Sequence, residues 1–163
     1  MSAIVRDSQR SRLYKAQEFL YDESKSEWAI KFNHLDLNSK TSIYFCQRYV
    51  NLILSQKFIT KRFGERKIWV KSGRGGGKAY GSSFISLGLW ARNESIVLHE
   101  IAHCLAPRNV KHGPEFAGIY LFLVKNVFGN EAAAKLRQSY KAHGVRYTNK
   151  AIPVIQKKVM ARV

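Results

Sequence analysis

Residues 94–105, Glu-Ser-Ile-Val-Leu-His-Glu-Ile-Ala-His-Cys-Leu, constrain the fold more than any other segment. Ile96, Val97, Leu98, Ile101, Ala102 and Leu105 put an apolar side chain on nearly every side of a helix, and such a helix belongs at the centre of a fold. Asn93 is placed to cap it, Glu94 suits the positive end of its dipole, and Pro107 stops it. His99, Glu100 and His103 are out of keeping with pure packing. Burying three ionisable groups is costly unless something compensates them.

The 163 residues are long enough for one domain with a real core, expected over about 40–145 and followed by a basic tail, 146–163. The charged start shows no secretory leader. The longest apolar run, Phe116 to Val124, is far short of the roughly 20 residues that cross a bilayer, so the expected location is the cytoplasm, with no membrane partner. Cys46 and Cys104 are too few for a disulfide framework and read as buried thiols, although Cys104 directly follows His103.

Helical spacing predicts helices over 9–22, with Asp7 or Ser8 as cap, and from Ser39 or Thr41 to about 60, ended by Gly64. Others are expected from Pro114 to Phe128 and, capped by Asn130 and closed by Gly144, over 131–142. The stretch 21–40 reads as loop around an apolar patch at Trp28–Phe32. Arg66–Lys71 and Ser83–Leu89 read as strands, and Ser72–Gly81 as a basic hairpin tip. That tip is no phosphate loop, because Ser72 and Ala79 stand where the pattern needs Gly and then Ser or Thr. The expected class is α+β: a small, mostly antiparallel sheet packed on helices, with helix 94–105 central.

Residues four apart on a helix lie about 40° apart around its axis, so His99 and His103 can grip one ion. This is the H-E-x-x-H pattern, in which zinc (Zn2+) brings the pKa of a bound water to about 7 and Glu100 is placed to take its proton. A catalytic site needs a third protein ligand. Asn109 stands where a metzincin would have histidine. His112 is the candidate preferred, brought back by a turn at 106–111, with Gly113 leaving room beside the metal. Glu115 is the rival. A lone histidine is usually a satisfied core residue, which is the reading for His34 and His143.

His99-Glu-Ile-Ala-His103 followed by His112-Gly-Pro-Glu-Phe116 resembles the SprT-like (Spartan-type) zincin metallopeptidases. Arg6-Asp-Ser-Gln-Arg-Ser-Arg-Leu-Tyr14 also resembles the opening of small metallohydrolases found in bacteria and their phages. The firm match spans about 83–125. The resemblance implies a zincin-like fold, zinc ligands at His99, His103 and His112, a catalytic Glu100, and protein substrates of which DNA-bound proteins are one class. The gap between the two motifs is shorter than in Spartan proteins, and the chain carries no cysteine-rich DNA-binding module.

Ser83–Leu89 is placed to be the sheet edge that pairs with an extended peptide. Tyr80, Arg137, His143 and Tyr147 are the candidates for stabilising an oxyanion. A net charge of +17, with aromatics such as Trp69 and Tyr80 among the Lys and Arg, predicts attraction to DNA or another polyanion. The alternative function is a basic nucleic-acid-binding protein whose zinc site is structural or degenerate.

Overall fold

Two short helices, α1 (Arg10–Gln17) and α2 (Phe19–Asp22), open the computed structural model, which describes residues 7–22 and 42–148. The apolar patch at 28–32, His34, the cap at Ser39 or Thr41, and the tail from 149 fall outside the described residues. A continuous helix over 9–22 is not formed, since the helix breaks at Glu18. Leu13 and Ala16 are fully buried in the main core, so the core starts well before residue 40.

The second expected helix is also two, α3 (Ser42–Leu54) and α4 (Lys57–Phe63), separated at Ser55 and Gln56. Cys46, Val50 and Ile53 recur at helical spacing and are fully buried. Each such side chain contributes roughly 1.5–3 kcal/mol through burial. Gly64 ends α4 at φ 74°, a left-handed value that costs other residues strain.

Three four-residue strands follow: β1 (Trp69–Ser72), β2 (Gly77–Tyr80) and β3 (Phe84–Leu87). They lie in the order β1-β3-β2, with β1 parallel and β2 antiparallel to β3. The sheet is therefore mixed rather than mostly antiparallel. Ser83–Leu89, expected at the edge, holds the middle strand, and the expected hairpin tip supplies the edge strand β2. The glycines explain the difference. Gly81, at φ 60°, closes the tight turn from β2 into β3. Gly88 lies so close to the Gly75 carbonyl that any side chain would collide with it, which lets the chain between β1 and β2 cross the end of β3.

The inward side of the sheet, with Ile85 and Leu87 fully buried, packs against α5 (Glu94–Leu105). Asn93 caps α5 by accepting the Ile96 N–H at 3.0 Å, and nine of its twelve residues are buried, as a helix apolar all round requires. The long helix α6 (Pro114–Phe128) packs on α5, and α7 (Asn130–His143) packs on both α6 and α1. Gly144 closes α7 in the left-handed conformation. The chain then runs back over α6, where the Thr148 N–H donates to the Pro114 carbonyl at 3.1 Å. The described residues form an α+β fold, and none of their helices is long and apolar enough to cross a membrane.

Candidate metal centre

His99 and His103 project from one side of α5, and His112 returns to them from the loop before α6. That return is bent: Asn109 and Lys111 both take positive φ, at 68° and 47°. Gly113 serves the bend rather than the space beside the histidines, because a Cβ there would stand 2.8 Å from the Val110 carbonyl oxygen. The Nε2 atom of His112 is 3.3 Å from that of His99 and 3.1 Å from that of His103. These three histidines form a group able to hold a metal ion. Glu115, the rival, is exposed in the first turn of α6 and outside this group.

The outer ring nitrogens explain why the inner ones converge. His112 Nδ1 donates to Asp7 Oδ2 at 2.8 Å, and His99 Nδ1 faces Gln17 Oε1 at 3.0 Å. A proton on each Nδ1 leaves each Nε2 as a bare acceptor. Two lone pairs facing one another at 3.3 Å repel unless a cation lies between them. Aromatic rings wall the cluster: Phe116 stacks on His103 at 4.2 Å, and Tyr14 lies parallel to His99 at 5.5 Å. Burial, above all, depresses the imidazole pKa values, with like-charge repulsion from the other histidines adding for His99 and His103. His103 is lowered to about 3. Burial lowers His112 too, while its bond to Asp7 pulls the other way. All three are thus neutral, as ligation requires, at ordinary pH.

Asp7 is no helix cap. Gln9 occupies the N-cap position of α1 without a side-chain cap bond, and Asp7 reaches His112 instead. Gln9 pins α1 in place. Its amide donates to the carbonyls of His112 (2.8 Å) and Arg146 (2.9 Å), and its oxygen accepts the Arg146 N–H at 3.1 Å. The supporting roles of Asp7, Tyr14 and Gln17 lay outside the sequence reading, although Gln17 carries a readable sign. It sits four residues after Leu13 on the buried side of α1, where an amide must find a partner.

Glu100 is 5% exposed, and its carboxylate lies between α5 and β2. It accepts the Ala79 backbone N–H, and burial raises its pKa to about 7. A Cβ at Gly77 would stand 2.8 Å from Glu100 Oε1 and 3.0 Å from Ile96, so only glycine lets β2 pass this close. No family model, curated protein or solved structure matches this chain.

The remaining candidates disperse. Arg137 and Tyr147 line a cleft with Gln138, Lys141 and Val145. His143 is exposed rather than a core residue and bonds the Ser139 carbonyl of its own helix at 2.9 Å. Tyr80 ends β2, where Lys71 and Lys78 hold their ammonium groups near its ring. Cys104 points at the Phe84 carbonyl and burial lifts its pKa to about 12, which marks a packed thiol.

Proposed function

We propose that this chain is a zinc-dependent metallopeptidase of the zincin type, with His99, His103 and His112 as metal ligands and Glu100 as catalytic base. The observation that carries the reading is the convergence of the His99, His103 and His112 Nε2 atoms, two of them on the helix that also carries the buried carboxylate of Glu100. Zinc–nitrogen bonds of about 2.0–2.1 Å in a tetrahedron separate the nitrogens by about 3.3 Å. The separations from His112, 3.1 and 3.3 Å, fit that figure closely. Three protein ligands leave one position open, whereas structural zinc is usually enclosed by four, with cysteine prominent among them.

Zinc, when bound, supplies Lewis acidity and a coordinated water with a pKa near 7. Glu100, itself raised to about 7, is tuned to accept a proton near neutral pH and return it to a leaving amine. β2, beside Glu100, has no strand on its other side among the described residues, and the part of that edge not already bonded to Glu100 through the Ala79 N–H is where an extended peptide would lie. Its position replaces the role expected of Ser83–Leu89. The H-E-x-x-H and H-G-P-E-F pair supports an SprT-like assignment, and the net charge of +17 supports DNA-associated proteins as the substrate class.

The test is elemental analysis beside proteolysis of a basic DNA-binding protein, with and without DNA. One zinc per chain, lost in His112→Ala, kept in Glu115→Ala, and kept without cleavage in Glu100→Gln, is the expected result. Absence of zinc from protein purified without chelator sinks the reading, and the basic nucleic-acid-binding alternative then takes its place.

A further inference from the structure

The sheet has a second face, turned away from α5, on which large aromatic and basic side chains alternate in rows. Register sets Trp69, Phe84 and Tyr80 side by side across β1, β3 and β2. They are 52%, 47% and 45% exposed, while their neighbours along the strands, Val70, Ile85 and Ala79, turn inward. Three large rings thus lie in one row on strands about 4.8 Å apart. The next outward row is Lys71, Ser86 and Lys78. Small Ser86 lets Lys71 reach across it, so the Lys71 and Lys78 ammonium groups stand 4.9 and 5.1 Å from the Tyr80 ring. Lys67 lies 5.5 Å from the Trp69 ring. From Arg66 to Asn93 the chain has no Asp or Glu. Half-exposed aromatics cost solvation free energy, and several lysines without a local acid repel one another. Together these features suit a ligand that is both flat and anionic.

We propose that this face is a stacking platform for single-stranded nucleic acid. Unpaired bases stack on Trp69, Phe84 and Tyr80, and the phosphates between them meet Lys67, Lys71 and Lys78. Duplex buries its base faces against one another and has none to offer. An acidic peptide matches the charge but does not use a row of three rings. The platform stands whether or not the metal centre is catalytic. It does share β2 with that centre, since Lys78 and Tyr80 face the bases while Gly77 and Ala79 face Glu100.

The experiment is fluorescence anisotropy of the full chain with labelled single-stranded dT20, rU20 and a 20-base-pair duplex across a salt series. Single strands should bind more tightly than duplex, and the DNA and RNA arms tell which form is preferred. Removing one stacking ring typically weakens binding about five- to 150-fold, so Trp69→Ala and Tyr80→Ala should each fall in that range without changing the salt slope. Lys71→Ala with Lys78→Ala should instead flatten the slope of log K against log salt by about 1.4. Phe84→Leu keeps bulk but loses the ring, so it separates stacking from folding, which circular dichroism checks for every variant. Four results overturn the proposal: no binding of either single strand at low salt; ring variants that bind as the native chain does; duplex bound as tightly as single strand; or poly-glutamate competing as well as dT20 at equal charge.

Discussion

Replacing Asp7 tests whether α1 belongs to the metal centre or merely packs beside it. The contact is a charge-assisted hydrogen bond of 2.8 Å between side chains only 9% (His112) and 22% (Asp7) exposed, so water screens it poorly. Losing such an outer partner of a metal-binding histidine typically weakens metal affinity 10- to 100-fold, about 1.4–2.7 kcal/mol. Asp7→Asn keeps an acceptor that can hold the Nδ1 proton but loses the charge, so it should sit near tenfold. Asp7→Ala leaves a buried N–H unpaired and the ring free to turn, so it should approach a hundredfold. The assay is zinc affinity by competition with a chromophoric chelator, with thermal unfolding of the metal-free variants as a folding control. A double-mutant cycle with His112→Ala, read as unfolding free energy of the metal-free chain, isolates the coupling, because Asp7 should lose most of its influence once its imidazole is gone. Zinc affinities within twofold of the native protein in both variants would refute the role assigned to Asp7.

Four further results are expected. Gly77→Ala drives a methyl group against the Glu100 carboxylate and Ile96, so it should lower the turnover proposed for this site at least tenfold while metal content stays as in the native chain; unchanged turnover refutes the close approach. Phe116→Ala empties the wall shared by the three imidazoles and should destabilise the fold by about 3–5 kcal/mol, read from denaturant midpoints. Metal-free protein should lose stability as pH falls from about 6.5 toward 3. The unfolded chain then binds protons that the depressed histidines refuse, at up to about 1.4 kcal/mol per pH unit for each one. Glu100 opposes this, its raised pKa favouring the fold below about 4.5 and weakening it as pH rises through about 7, but one carboxyl is outnumbered by three imidazoles. A midpoint that climbs on acidification refutes this balance. Gln9→Ala removes three bonds linking α1 to the His112 loop and residue 146, and should cost about 1–3 kcal/mol and weaken zinc binding as well.

The part of the fold nearest the histidines was the most legible in sequence. Helices α5, α6 and α7 fall within a residue of their expected bounds, because each has a strong periodic pattern and local punctuation in Asn93, Pro107, Pro114 and Gly144. The convergence of His99, His103 and His112 was legible for the same reason: two share a helix and the third is tied to it by a short loop. The sheet was not. Gly-Lys-Ala-Tyr has no alternation long enough to read as a strand, and parallel pairing of β1 with β3 leaves no mark on either segment. The partners of the imidazoles were equally hidden, since Gln17 and Asp7 lie 82 and 105 residues from the histidines they meet. The segment Arg6–Tyr14 carries a family resemblance, but only the folded chain gives Asp7, Gln9 and Tyr14 their roles.

Gln9 bonds both the His112 loop and Arg146, 103 and 137 residues further along the chain. On a ribosome, α1 emerges before α7 yet cannot be clamped until α7 and the segment after it have left the exit tunnel. Closing so long a loop is also slow, because the chain entropy is lost before the contacts are gained. The partners of His99 and His112, Gln17 and Asp7, likewise lie 82 and 105 residues away, so these contacts too close long loops. Metal captured earlier would meet unsupported, rotating imidazoles and dissociate readily. Were the three histidines to load a metal, the supports that hold their rings would be in place only once residue 146 and α1 had met.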